Sequence, residues 1–295
     1  MLASFLGRQW WGFELTTHFR VQYVVAFACW ATLLIVWRRR AWAVAFMALA
    51  LVNALLVKTG VGGFSETRPG ATGPALRALL ANVNSANRDD RRIRDLIARH
   101  DPDVVILLEA TPWLLERLAG LADRYPHRIA EPREDNFGIA LLSRRPFSNG
   151  CIARIGAAGL PSTVAEFEIG RRRLVIAGTH PLPPMSAELA RLRNEQFDSL
   201  AAFARQTPQP LVVMGDLNAT PWSPYFERLL ADSGLRDGRS GHGLLPTWPV
   251  GWPPLWIPID HVLISEGIEI QRWQTGAAIG SDHYPVIVDF RLIGS

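Results

Sequence analysis

Two stretches near the start of the chain lack the mixing of apolar and polar positions seen elsewhere. Residues 21–37, VQYVVAFACWATLLIVW, and residues 41–57, AWAVAFMALALVNALLV, contain no charge and no polar face at helical spacing. Each run is 17 residues, near the shortest length that spans a bilayer as a helix. The pattern predicts two transmembrane helices joined by the turn Arg38-Arg39-Arg40. Two core helices of a soluble protein are the alternative, but neither run keeps a face for water. Two runs, with twenty residues ahead of the first, do not read as a cleaved signal peptide.

Residues 1–20 carry Trp10, Trp11, Phe13 and Phe19. They suit a segment lying at the lipid headgroups, or an amphipathic helix packed on protein. Residues 58–74, KTGVGGFSETRPGATGP, are rich in Gly, Thr, Ser and Pro and read as a linker.

From residue 75 to 295 a folded domain is expected. Apolar runs predict strands at 76–83, 103–108, 137–143, 162–169, 172–179, 210–216, 259–265 and 284–290. Helices fit 88–100, with Ile93, Leu96 and Ile97 on one stripe, and 112–123, with Thr111 as N-cap and Pro112 in the first turn. A longer helix fits 186–205 and a short one begins at Ser223-Pro224. The order is neither a clean βαβ alternation nor all-β, so the fold class is α+β, with helices covering sheets. Residues 241–258, GHGLLPTWPVGWPPLWIP, hold five prolines and three tryptophans and read as a structured loop.

Charge separates these parts. Residues 1–60 contain six Lys/Arg and one acid, whereas the rest contains 25 Lys/Arg and 26 acids. The basic balance therefore belongs to the membrane segment, and the near-neutral domain lacks the general positive charge of a nucleic-acid binder. The arginine turn places itself in the cytoplasm by the positive-inside rule, which sends both hairpin ends and the domain to the other side. The expected location is the cell inner membrane, with the domain extracytoplasmic or periplasmic and residues 21–57 in the lipid. Cys29 and Cys151 are the two cysteines, and Cys29 lies inside the first apolar run, so no structural disulfide is expected.

Several predicted strands meet residue types able to do chemistry. DVVILLEA ends in Glu109, RLVIAGTHP in His180, and PLVVMGDLN in Asp216 and Asn218. PIDHVLIS begins with Asp260, GSDHYPVIVDF with Ser281, Asp282 and His283, and LLANVNSAN brings out Asn82 and Asn84. Each residue alone reads as a turn former or a solvated side chain. Together they suit phosphate ester hydrolysis, in which a hard cation takes carboxylate and amide oxygens while a carboxylate and an imidazole handle protons. His261 alternates away from Asp260 and is expected to pack or face solvent.

The strings ANVNSAN, VVILLEA, GTHP, VVMGDLNATPWS, IDHVLIS and GSDHYPV resemble, in this order, the motifs of the endonuclease/exonuclease/phosphatase superfamily over roughly residues 75–291. The resemblance implies the DNase I-like four-layer sandwich, two packed mixed sheets flanked by helices, here preceded by the two-helix hairpin. It implies Mg²⁺, with Mn²⁺ able to substitute, held by Glu109 with Asn82 near it and Asp282 in or behind the metal site. It implies that Asp216 orients or deprotonates water, that Asn218 holds the phosphate or that water, and that His283, kept in its tautomer by Asp260, contacts the phosphoryl group. His180 would lie near the leaving group. Many nucleases of the superfamily carry an acid where this chain has Asn84, which argues against a second metal. The expected activity is membrane-anchored phosphodiester hydrolysis, on nucleic acid or on a lipid or lipid-linked headgroup. A non-catalytic module on the same fold would have lost some of these residues.

Overall fold

The computed structural model describes residues 1–61 and 75–293. Helix α1 (Trp11–Leu15) precedes two long apolar helices, α2 (Arg20–Val36) and α3 (Arg40–Val61). These are long and apolar enough to cross a membrane. Residues 58–61 of the expected linker continue α3, and 62–74 lie outside the described residues.

Then follow β1 (Leu76–Asn82), α4 (Asp90–His100), β2 (Val104–Leu108), α5 (Pro112–Arg117), β3 (His127–Glu131), β4 (Ile139–Ser143) and β5 (Phe147–Arg154). The second half holds β6 (Pro161–Ile169), β7 (Arg172–Gly178), α6 (Ala187–Gln206), β8 (Leu211–Asp216), α7 (Pro224–Ser233) and β9 (Arg236–Asp237). It closes with β10 (Asp260–Ile264), β11 (Ile268–Thr275) and β12 (Val286–Leu292).

The strands form two six-stranded sheets, ordered β11-β12-β1-β2-β4-β3 and β5-β6-β7-β8-β10-β9. Alternation along each strand gives every sheet two apolar faces. The inner faces interdigitate through Leu80, Ile106 and Leu141 from one sheet and Phe167, Ile176 and Met214 from the other. The outer faces are covered by helices, with Ile93 and Ile97 of α4 on Leu79 and Val105, and Phe197 and Leu200 of α6 on Val175 and Val213. Each such side chain contributes about 1.5–3 kcal/mol when fully buried. The result is the four-layer DNase I-like sandwich.

Caps mark where three helices begin. Thr111, Ser186 and Ser223 each accept a backbone N–H from the first turn of α5, α6 and α7. Helix α5 stops at Arg117, and a 3-10 turn over Ala119–Leu121 follows where Gly120 interrupts the predicted helix. Strands β3, β5 and β9 were not marked by apolar runs, and each is a sheet edge with exposed positions. Strand β11 is also an edge, in which Glu269, Gln271 and Arg272 interrupt the apolar positions.

Two parallel pairs organise the molecule: β1 crosses over through α4 to β2, and β7 through α6 to β8. Strands β10 and β12 run antiparallel to β8 and β1. The C-terminal ends of β1, β2, β7 and β8 therefore meet the N-terminal ends of β10 and β12 at one edge of the sandwich. Gly215 permits a close approach there, since a Cβ would lie 2.1 Å from the Thr179 carbonyl oxygen.

The N-terminal segment packs against this same edge. Glu14, fully buried, accepts Arg193 Nη2 on both oxygens at 2.6 and 2.5 Å and the Ser223 hydroxyl at 2.6 Å. His18 Nδ1 lies 3.0 Å from Thr220 Oγ1, and Gln22 Nε2 donates to the Trp256 carbonyl at 2.9 Å. At the far end of the hairpin, Gly60 lies so close to Trp222 that a Cβ would sit 2.5 Å from the indole.

Candidate active site

Asp216 closes β8, and its register partner across the antiparallel pair is Asp260, the first residue of β10. Asp216 Oδ2 is the centre of the site. Asn82 Nδ2 donates to it at 3.2 Å, while His180 Nε2 and His283 Nε2 face it at 3.4 and 3.5 Å. His283 Nδ1 donates to Asp260 Oδ2 at 2.9 Å, which sets the tautomer and aims Nε2 toward Asp216. The Asp260 N–H and the Ile259 N–H both donate to Thr247 Oγ1, so a buried threonine fixes the strand start.

Asn82 spans two parts of the site. Its amide also donates to Glu109 Oε1 at 2.9 Å, and the Ser85 N–H donates to Glu109 Oε2 at 3.0 Å. Glu109 has φ +57°, Asn84 +60° and Asn218 +50°, all left-handed conformations that cost a non-glycine residue energy. All three follow strand ends at this edge, where hydrogen bonds hold them.

Asn218 is turned by its own surroundings. Its N–H donates to Asp216 Oδ1 at 3.0 Å and its Nδ2 to the Pro181 carbonyl at 3.0 Å. Its carbonyl accepts Arg193 Nη1 at 3.1 Å, which links the turn after β8 to the buried Glu14 pair. Asp282 sits at the rim instead, its oxygens accepting Asn84 Nδ2 at 2.8 Å and Trp248 Nε1 at 2.9 Å. The geometry thus brings Asn82, Glu109, His180, Asp216, Asp260 and His283 together, with Asn218 adjoining them and Asp282 engaged elsewhere. His261 is buried on the opposite face of β10, where Nε2 donates to the Ala219 carbonyl at 2.8 Å.

Three contributors escaped the sequence reading: Thr247, Glu14 and Arg193. Arg193 had a signal, for it sits in the apolar stripe Ala190, Phe197, Leu200 of α6 where a cation needs a buried partner. Glu14 had one too, as the single acid among the first 60 residues.

The electrostatics follow from burial and mutual attraction. Burial raises the Asp216 carboxyl, but His283 and His180 outweigh it and hold it down at about 2. Burial lowers His283, but Asp260 and Asp216 outweigh it and push it up to about 10. His180 is likewise raised, its desolvation overcome by Asp216 and Glu109. At neutral pH His283 is therefore an imidazolium beside an ionised Asp216.

These shifts predict how stability of the metal-free protein changes with pH. His283 stabilises the fold fully below its ordinary value of 6.5, and that contribution is lost as pH rises through about 10. Asp216 stabilises it above its ordinary value of 3.8, and that contribution is lost as pH falls through about 2. Thermal melts in a chelator should show a decline from pH 6.5 toward 10 that is weaker in His283→Asn.

The donor chemistry fits a hard divalent cation. Asp216, Asp260 and His283 present ligand atoms within 4.8 Å of one another. His283 and Asp260 already satisfy each other, however, so the oxygens of Glu109 and Asn82 are the better set. Each Glu109 oxygen accepts one protein hydrogen bond and keeps a further lone pair.

The family described as endonuclease/exonuclease/phosphatase matches residues 79–283. This chain belongs to that family. Its members hydrolyse phosphate ester and phosphodiester bonds, and this chain is a hydrolase of that class. No curated protein matches the chain. Among solved structures, an endonuclease/exonuclease/phosphatase family protein from Bacteroides thetaiotaomicron superposes with TM-score 0.64 at 15% identity, covering 76% of this chain and 100% of its own. TDP2 from D. rerio, complexed with a single-strand DNA product, gives 0.60 at 16% identity over 74% and 99%. Sphingomyelinase C from Streptomyces griseocarneus gives 0.54 at 23% identity over 73% and 99%. At these identities the likeness is one of fold.

Proposed function

We propose that this chain is a membrane-anchored, Mg²⁺-dependent phosphodiester hydrolase. The observation that carries the reading is the array His283–Asp260 and His180 around Asp216, joined through Asn82 to Glu109. In this reading helices α2 and α3 anchor it, and the arginine turn 38–40, set against Arg8, Arg20 and Lys58 at the other ends, favours a domain outside the cytoplasm, in the periplasm of a cell with an inner membrane. Residues 1–20 and 75–295 act as one catalytic unit in this reading, since the first segment packs on the second.

Glu109, with Asn82, would hold Mg²⁺ or Mn²⁺, which when bound neutralises charge on the phosphate oxygens. Asp282 supports that rim through Asn84. Asp216, ionised and held near 2, is a weak base at neutral pH, so it orients the attacking water more than it removes the proton. Asn218 fixes that water or a phosphate oxygen. His283, an imidazolium held by Asp260, donates from Nε2 to the charge that develops on phosphorus-bound oxygen. His180, on the other side of Asp216, supplies a second donor toward the leaving group.

The test is hydrolysis of bis-p-nitrophenyl phosphate by the full-length protein in detergent. Activity should fall at least about 100-fold in EDTA, return with Mg²⁺ or Mn²⁺, and be lost in Asp216→Ala. Activity indifferent to the chelator, or to Asp216→Ala, would overturn this reading.

A further inference from the structure

The geometry points to a site whose mouth opens at the bilayer surface, and we propose that its substrate is a phosphodiester carried on a membrane lipid. This rests on the hydrolase reading above and names the carrier of the phosphate.

The first observation is where the hairpin is attached. Glu14 reaches Arg193 and Ser223, His18 reaches Thr220, and Gln22 reaches the Trp256 carbonyl. Gly60, at the other end of the hairpin, lies on Trp222. Thr220, Trp222 and Ser223 belong to the segment leaving β8, and Trp256 to the segment entering β10. Those two segments begin and end at Asp216, Asn218 and Asp260. The end of the sandwich that carries the chemistry is therefore the end that meets the hairpin.

The second observation is apolar exposure at that end. Trp248 and Trp256 of the 241–258 loop are partly buried, but Trp252 is 66% exposed and Leu255 is 44% exposed. The same loop reaches the site, with Trp248 Nε1 on Asp282 Oδ2, the Val250 N–H on the Asp282 carbonyl, and Thr247 beneath Asp260. In the segment that follows His180, Met185 is 75% exposed. Large apolar side chains left in water on two loops that adjoin the site, beside the first turns of α2, suit the headgroup region of a bilayer. The aromatic Trp252 is the residue type that settles there.

The third observation is missing charge. Residues 181–186, 217–224, 241–258 and 276–283, four of the segments that frame the site, contain no Lys or Arg. A channel for a polynucleotide tracks the backbone with cations and stacks bases on aromatics. In the segments between β1 and α4 and between β3 and β4, Arg88 is bonded to the Ser85 carbonyl and stacks on Trp113, and Arg133 is paired with Asp135. A single phosphodiester presented by a lipid needs no such track.

Two measurements on the full-length protein test this. In the first, the protein is reconstituted into vesicles of phosphatidylcholine, phosphatidylethanolamine and phosphatidylglycerol. Release of headgroup products is compared with cleavage of single-stranded DNA and of bis-p-nitrophenyl phosphate. Lipid hydrolysis should occur and fall at least 10-fold in Trp252→Ser/Leu255→Ser, while turnover of the soluble diester stays unchanged. Soluble diester cleaved without lipid, DNA cleaved in preference to lipid, or lipid turnover indifferent to the double substitution would overturn the proposal and leave the hydrolase reading standing. Failure on all three substrates would sink both.

The second measurement needs no turnover. A spin label at Leu255→Cys, with Cys29 and Cys151 changed to Ser, should be relaxed more by oxygen than by a water-soluble nickel chelate. The reverse order would place the loop in water and overturn the proposal.

Discussion

His283→Asn should lower kcat for a soluble phosphodiester by on the order of 10³-fold with little change in KM. Asparagine is chosen because its amide can take the place of Nδ1 and keep the hydrogen bond to Asp260, observed at 2.9 Å. That preserves a partner for a buried carboxylate, so the loss reports chemistry and not unfolding. What disappears is Nε2 and its positive charge, which in the wild type is held up to about 10 by Asp260 and Asp216. His283→Ala should lose comparable activity but also stability, because it leaves the Asp216 and Asp260 carboxyl groups adjacent in register without the intervening cation. Steady-state kinetics with circular dichroism on both variants separates the two effects. A His283→Asn enzyme within a factor of ten of wild type would show that proton donation comes from elsewhere.

Glu14→Ala should destabilise the protein by about 3–5 kcal/mol, although Glu14 lies 179 residues from the arginine it holds. Both side chains of this ion pair are 0% exposed, so removing the carboxylate strands a guanidinium in the core. At about 2–4 °C per kcal/mol for a chain of this size, the melting temperature in detergent should drop by roughly 10 °C. The double variant Glu14→Leu/Arg193→Leu should recover much of that loss, since replacing both charges removes the desolvation penalty. It should not recover kcat, because Arg193 Nη1 also holds the Asn218 carbonyl at 3.1 Å. Differential scanning fluorimetry and kcat on the three proteins test the pair. A Glu14→Ala protein as stable as wild type would mean that the N-terminal segment does not dock in solution.

How much of this could be read beforehand depended on how each residue is used. Central strands such as β2 and β8 are buried on both faces, so VVILL and LVVMGD stand out as continuous apolar runs. Edge strands do not: β5 reads FSNGCIAR and is exposed or half-exposed throughout, so its place comes from pairing with β6. The polar ends of the central strands were legible because Glu109, Asp216 and His180 interrupt apolar runs abruptly. Thr247 was not, because one threonine in a proline-rich loop carries no period to betray its role.

The sequence by itself determined the apolar hairpin, the central strands, the cap at Thr111, and the polar residues that stand at the strand ends. Those are local properties, written in runs, periods and residue types within a few positions of one another. Only the tertiary structure decided that Asp216 lies between two imidazoles, that Asp282 turns to Asn84 and Trp248, and that Glu14 is sealed against Arg193. These depend on partners far apart in the chain, and a buried charge shows its partner only once the chain has folded around both.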